Sequence, residues 1–207
     1  FMKTLSARHC VCDCAILFFI LSFFGWCAET ALFLFRWNVL ADRGFLTLPF
    51  CTIYGTAVLA EHFLLGTPQT GRLSPLWKKA APLPPARKAA ARLGVLALYF
   101  VLASFPPAAA ELAVGTLFTD LLHVRLWNYS YQKFQLFGSV SLSFTLLWGG
   151  LITLGMAVVW EPARKTVRDL PYPFRRAAAV SLSLCTAADF AFNLIFLLTT
   201  GTRFSLF

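Results

Sequence analysis

Long apolar runs organise this chain, and strict polar–apolar alternation is absent from them. Five such runs read as membrane spans, at 14–35, 49–66, 93–118, 134–160 and 177–199. A membrane helix needs about 20 mostly apolar residues, whereas a barrel strand needs about 10 with a period of two. The runs fit helices. The expected fold is therefore all-α, a polytopic integral membrane bundle of about five helices forming a single membrane domain. The second run is the weakest, because Glu61 and His62 lie inside it. The third carries Pro106-Pro107. Proline removes a backbone donor, so a kink is expected there.

The first run follows Lys3 and Arg8, as in a signal peptide. It is longer than the roughly 7–15 residues of a signal core, and no small-residue cleavage site follows it. It reads as a retained helix.

Composition agrees with the pattern. Of 207 residues, 58% are hydrophobic and 13% charged. A soluble domain has about 25% charged residues. Mean hydropathy is +0.70. This excludes a water-soluble globular domain and a disordered chain. The net charge of +9 would suit nucleic acid, but the basic loops lack interleaved aromatics and no nucleic-acid partner is expected.

The charge instead reads as topology, because Lys and Arg accumulate on the cytoplasmic side. With five spans, one side holds Lys3, Arg8, Arg72, Lys78, Lys79, Arg87, Lys88, Arg92, Arg164, Lys165, Arg168, Arg175 and Arg176. The other holds Arg36, Arg43, Arg125, Lys133 and Arg203. This predicts a cytoplasmic N-terminus and an external C-terminus in a multi-pass cell-membrane protein. The stretch 80–91, AAPLPPARKAAA, reads as a solvated linker.

The few remaining charges are candidate chemistry. An ionisable group in a span costs at least ~2.5–3.5 kcal/mol and persists with a partner or a role. Glu29, Glu61, Glu111, Asp120 and Asp189 lie within or at the ends of spans. Glu29, Arg43 and Glu111 all fall toward the outer boundary, where they form either structural pairs or a polar pocket. Trp127 and Tyr129 either anchor the interface or cover that pocket. Ser181, Cys185, Asp189 and Asn193 recur every four residues. They form a second polar stripe, for interhelical bonds or an ion path. Gly138, Ser141, Thr145 and Gly149 form a small face for close packing. Glu61-His62 is expected to be an interfacial, solvated pair.

Cys10, Cys12 and Cys14 alternate beside His9. They lack the second pair that a zinc site uses. They read as an unused tract or as juxtamembrane palmitoylation sites. No metal and no cofactor are expected. There is no phosphate-binding loop, no H-E-x-x-H and no G-x-S-x-G elbow, so nucleotide hydrolysis is not expected of this chain and enzyme activity stays open.

The blocks SFFGWCAET (22–30), ADRGFLTLPFCTIYG (41–55), ELAVG (111–115) and LWNYSYQKFQLFGSVSLSFTLLWG (126–149) resemble, in order and spacing, the bacterial CmpB-like family of ABC-transporter permeases, the type IV group. The matching positions are Gly25, Trp26, Glu29, Arg43, Gly44, Phe45, Pro49, Tyr54, Gly55, Glu111, Trp127, Tyr129 and Ser130. The chain departs at Asp42, where the family has Asn. It departs again at Thr47-Leu48, in place of a glycine step, and at Asn128, in place of Asp. The resemblance implies a transport-associated membrane subunit working with a separate ATPase, which would dock on the basic cytoplasmic loops 67–92 and 161–176. The residues also allow a membrane enzyme acting on a lipid or its headgroup, or a structural assembly partner.

Overall fold

A computed structural model describes residues 2–41 and 43–206, with only the helical backbone of residues 2–9. Asp42 and the side chains of Lys3, Arg8 and His9 therefore lie outside the described residues. The architecture is all-α, as expected. The helices are α1 (Met2–Trp37), α2 (Thr52–Leu64), α3 (Ser74–Lys79), α4 (Pro85–Ala103), α5 (Phe105–Leu121), α6 (Leu142–Leu154), α7 (Trp160–Asp169) and α8 (Tyr172–Thr200). A π-helical turn at Gly155–Val159 joins α6 to α7, and a two-stranded hairpin, β1 (Gln135–Leu136) with β2 (Val140–Ser141), precedes α6.

Among the described residues, four helical stretches are long and apolar enough to cross a bilayer: Cys10–Trp37, Pro85–Leu121, Leu142–Asp169 and Tyr172–Thr200. Large apolar side chains such as Phe24, Phe35, Leu184 and Ile195 point outward on them. That is the surface a bilayer covers. The protein is a multi-pass membrane protein.

The second expected span differs. Its helix, α2, is 13 residues long. At about 1.5 Å per residue such a helix reaches about 20 Å. The hydrocarbon layer is ~30 Å thick. Pro49 stands before this helix and not in its first turn. The other boundaries also move, for physical reasons. The helix of the fourth expected span, α6, starts at Leu142 and not Phe134. Gly138 turns the hairpin with a φ of 71°, in the left-handed region. Ser141 then caps the helix by accepting from the Phe144 N–H, as serine often does at a helix start. Gly138 is thus off the helix. The stretch 161–176 is mostly helical, because polar residues continue a helix past its apolar part. Half of the supposed 80–91 linker is the first turns of α4, opened by Pro85. Proline suits that place, where its missing N–H would have no helical partner.

The chain divides into two compact units. One comprises residues 1–56, 115–126 and 164–207; the other comprises 57–114 and 127–163.

In the first unit, α1 packs along α8. At one end, Asp13 and Arg175 form a buried ion pair, each under a tenth exposed, and Arg168 adds a contact at 3.6 Å. Beyond α1 the chain turns back. The Cys51 N–H donates to the Ser22 carbonyl at 3.0 Å, and the Leu48 N–H to Asp189 Oδ2 at 3.0 Å. Ser22 and Asp189 are both well inside their helices, so the non-helical segment 44–51 lies at helix depth. Non-helical backbone survives there only where protein satisfies it, and Asp189 does so for Leu48. Phe45 locks the segment between Phe118 and Phe190, with ring centroids 4.9 and 5.3 Å away.

In the second unit, α4 packs on α6. The helix breaks at Ser104, just ahead of Phe105-Pro106-Pro107. Neither proline has an N–H to give, so the ladder of helical bonds is interrupted. Gly149 lies against that break, and a methyl on it would overlap Ser104. The close packing expected of Gly149 therefore has a specific partner.

Candidate functional site

In the first unit the site is built from one face of α1 and the start of α2. Ser22, Gly25 and Glu29 are spaced three and four apart, so they line one stripe. Gly25 has no Cβ, and any Cβ there would overlap the Tyr54 ring. Gly55 similarly sits on Ser22 and Phe18. These two glycines let the start of α2 settle against α1. The Tyr54 hydroxyl then reaches Glu29 Oε1 and donates to it.

Arg43 completes the cluster. Its Nε donates to Glu29 Oε2 at 3.2 Å, and its guanidinium lies over the Phe33 ring at 5.0 Å. Glu29 thus binds a phenol on one oxygen and a guanidinium on the other. Both charged side chains remain about a quarter exposed, 24% for Glu29 and 26% for Arg43. The cluster is held on three sides yet not fully covered. Chemically, it offers a guanidinium that can grip an anionic group and a phenol–carboxylate pair that can hold or pass a proton.

In the second unit, Glu111 is 7% exposed and accepts from the Tyr129 hydroxyl at 3.3 Å. The Tyr129 ring stacks on Phe144 with centroids 4.7 Å apart. Trp127 Nε1 donates to the Ser139 carbonyl at 2.7 Å, and the Tyr129 N–H donates to the Gly138 carbonyl at 2.8 Å. The first bond turns the Trp127 ring toward its own loop, while the Tyr129 ring faces α5 and α6. Trp127 fastens the loop, and Tyr129 delivers a hydroxyl to a buried carboxylate.

The expected residues thus fall into two groups. Glu29 and Arg43 belong to the first unit; Glu111, Trp127 and Tyr129 belong to the second. Tyr54 is a site residue that the reading of spans and charges misses. Its place beside Gly55, in a block shared with the family, is the signal that could have found it.

The second polar stripe divides. Asn193 is buried, and its amide donates to Thr47 Oγ1 at 2.9 Å and to Asp189 Oδ1 at 3.1 Å. Ser181 and Cys185 are exposed, so only the Asp189–Asn193 half of the stripe engages the chain. Asp120 is exposed on the last turn of α5, and Cys10 is exposed on α1 while Cys12 and Cys14 are partly covered.

Two further residues change status. Glu61 is fully buried and not a solvated interfacial group; His62, beside it, packs its ring on Trp160 at 4.6 Å. Asp13 is not among the expected site residues, yet it is buried in an ion pair. Its signal is available in the sequence, since it is the only acid near the start of the first apolar run.

No curated protein and no solved structure matches the chain. A family does match it, over nearly the whole region just described, including both aromatic–carboxylate pairs. The chain belongs to the family described as "Putative ABC-transporter type IV", whose model matches residues 16–194.

Proposed function

We propose that the chain is the membrane subunit of a transport system and that it binds a small polar solute at Glu29, Arg43 and Tyr54. The observation that carries this reading is the Glu29–Arg43 pair, held by Tyr54 and still a quarter exposed. Partial exposure leaves both charged groups within reach of a ligand, which a fully enclosed pair would not allow. Glu111, Tyr129 and Trp127 are proposed as a second ligand-facing group in their own unit. Asp189 and Asn193 hold the extended segment that carries Arg43.

The family membership supports an ATPase partner. The basic stretches 67–92, with Lys78 and Lys79 on α3, and 161–176, with Arg164 and Lys165 on α7, are each proposed as contacts for it. That placement assumes a cytoplasmic N-terminus and an external C-terminus. It also requires the segment 44–64 to cross as a composite, extended first and helical after. The Cys51–Ser22 and Leu48–Asp189 bonds support such a crossing.

The test is purification from native membranes in mild detergent, with solutes screened by thermal shift. Co-isolation of a nucleotide-hydrolysing subunit, and a solute whose stabilising effect is lost in Glu29→Gln and Arg43→Met, are the expected results. Neither appearing would sink the reading.

A second reading is supported by the same trio. A guanidinium beside a phenol–carboxylate pair also suits an enzyme that clamps a lipid phosphate and moves a proton. A lipid profile unchanged by deletion of the gene would exclude it.

A further inference from the structure

Glu61 of α2 sits in the second unit with no exposed surface. Its carboxyl oxygens make no hydrogen bond of ordinary geometry among the described residues, the Tyr99 hydroxyl being the one polar group that approaches them, and no cation among those residues pairs with it. A polar neighbour is the Tyr99 hydroxyl of α4, itself fully buried. That hydroxyl has a single proton, and it gives it to the Gly66 carbonyl at 2.7 Å. Tyr99 can therefore only accept from Glu61, and only a protonated carboxyl can donate. The remaining titratable neighbour along the chain is His62, whose ring is taken up against Trp160.

The surroundings are fixed and not an accident of a loose end. Thr67 and Pro68, just after α2, are almost completely buried. Gln69 Nε2 donates at 2.9 Å to the carbonyl of Ala157, inside the π-helical turn. Such turns leave a carbonyl without its usual helical donor, and they concentrate at functional sites. The segment after Glu61 is thus tied at Gly66 by one helix and at Gln69 by a second.

We propose that Glu61 is a proton-binding site. Its carboxyl carries a proton in this conformation and releases it when water reaches the end of α2. The O–H bond then breaks, the proton passes to water, and a carboxylate remains. An ionised, unpaired carboxylate in this position would lose its hydration with nothing in return. Proton relays in membrane bundles are built from such acids. The proposal is independent of the solute site at Glu29.

The test is infrared spectroscopy of the full chain in lipid nanodiscs, with isotope-labelled glutamate. The expected result is a neutral-carboxyl band at neutral pH that disappears in Glu61→Gln. If that variant fails to fold, Glu61→Asp carries the assignment, and the band then moves from the glutamate-labelled to the aspartate-labelled sample. A wild-type protein without a neutral glutamate band would overturn the proposal. So would a band that survives in Glu61→Gln, or one that sodium removes, which would make Glu61 a metal-cation ligand.

Discussion

Asp13 and Glu61 are both buried carboxylates, and they are opposites. Asp13, in the first unit, meets Arg175 directly and Arg168 at 3.6 Å. Glu61, in the second, meets no cation among the described residues. Burial alone therefore does not say what an acid is doing. A buried carboxylate with a guanidinium on it has its charge compensated and ties two helices together. A buried acid without a partner is best accommodated neutral, and a neutral acid is able to exchange a proton. The Glu29 cluster lies between these limits, since it is paired but only partly covered.

This contrast predicts a ranking of effects. The largest belongs to Arg175→Met, which strands Asp13 as a buried, largely uncompensated anion. Reversible unfolding in mixed micelles should show a loss of about 3–5 kcal/mol. The double variant Asp13→Leu/Arg175→Met should recover most of it; no recovery would mean the pair is not what holds α1 to α8.

Next comes Gly25→Val. The added side chain must displace the Tyr54 ring. Overpacking of this kind costs about 1–3 kcal/mol. Solute binding should fall with it, because Tyr54 no longer reaches Glu29. Binding that survives intact would separate the site from the helix contact.

Smaller again is Glu29→Gln. Its pair with Arg43 is partly exposed and hence screened. The expected cost in stability is about 1 kcal/mol or less, read in the same unfolding measurement. The loss of solute binding should be much larger than that. Equal, small effects on both would favour a structural pair.

The smallest belongs to Glu61→Gln. The amide resembles the neutral acid in shape and strands no charge, so only a small change in stability is expected. The same unfolding measurement checks this, and the infrared band decides the protonation state if the variant does not fold.

Much of this molecule is legible along the chain. The four long helices follow from apolar length. The break before Pro106-Pro107 follows from missing donors, and Gly149 is recognisable as a packing residue. The misreadings share a cause. The 80–91 stretch looks like a linker because it is rich in Pro and Ala, and 161–176 looks like a loop because it is polar, yet Pro85 opens a helix and a helix continues past its apolar part at no penalty. The segment 134–141 looks helical because it is apolar, yet Gly138 and Ser141 impose a turn and a cap. Hydropathy reports the surrounding medium, and local hydrogen bonding decides the backbone.

Residue order was enough for the membrane class, for the number of long helices to within one, and for the family. These depend on sums over neighbouring residues, and such sums can be read without contacts. What each charge meets emerges only on folding. Asp13 and Arg175 are separated by 162 positions, and Leu48 and Asp189 by 141. Glu61 looks solvated from its place near the end of a run, and only the packing of the segments around α2 removes it from water. Partners brought together from such distances are set by the fold, and they separate a structural acid from a proton site.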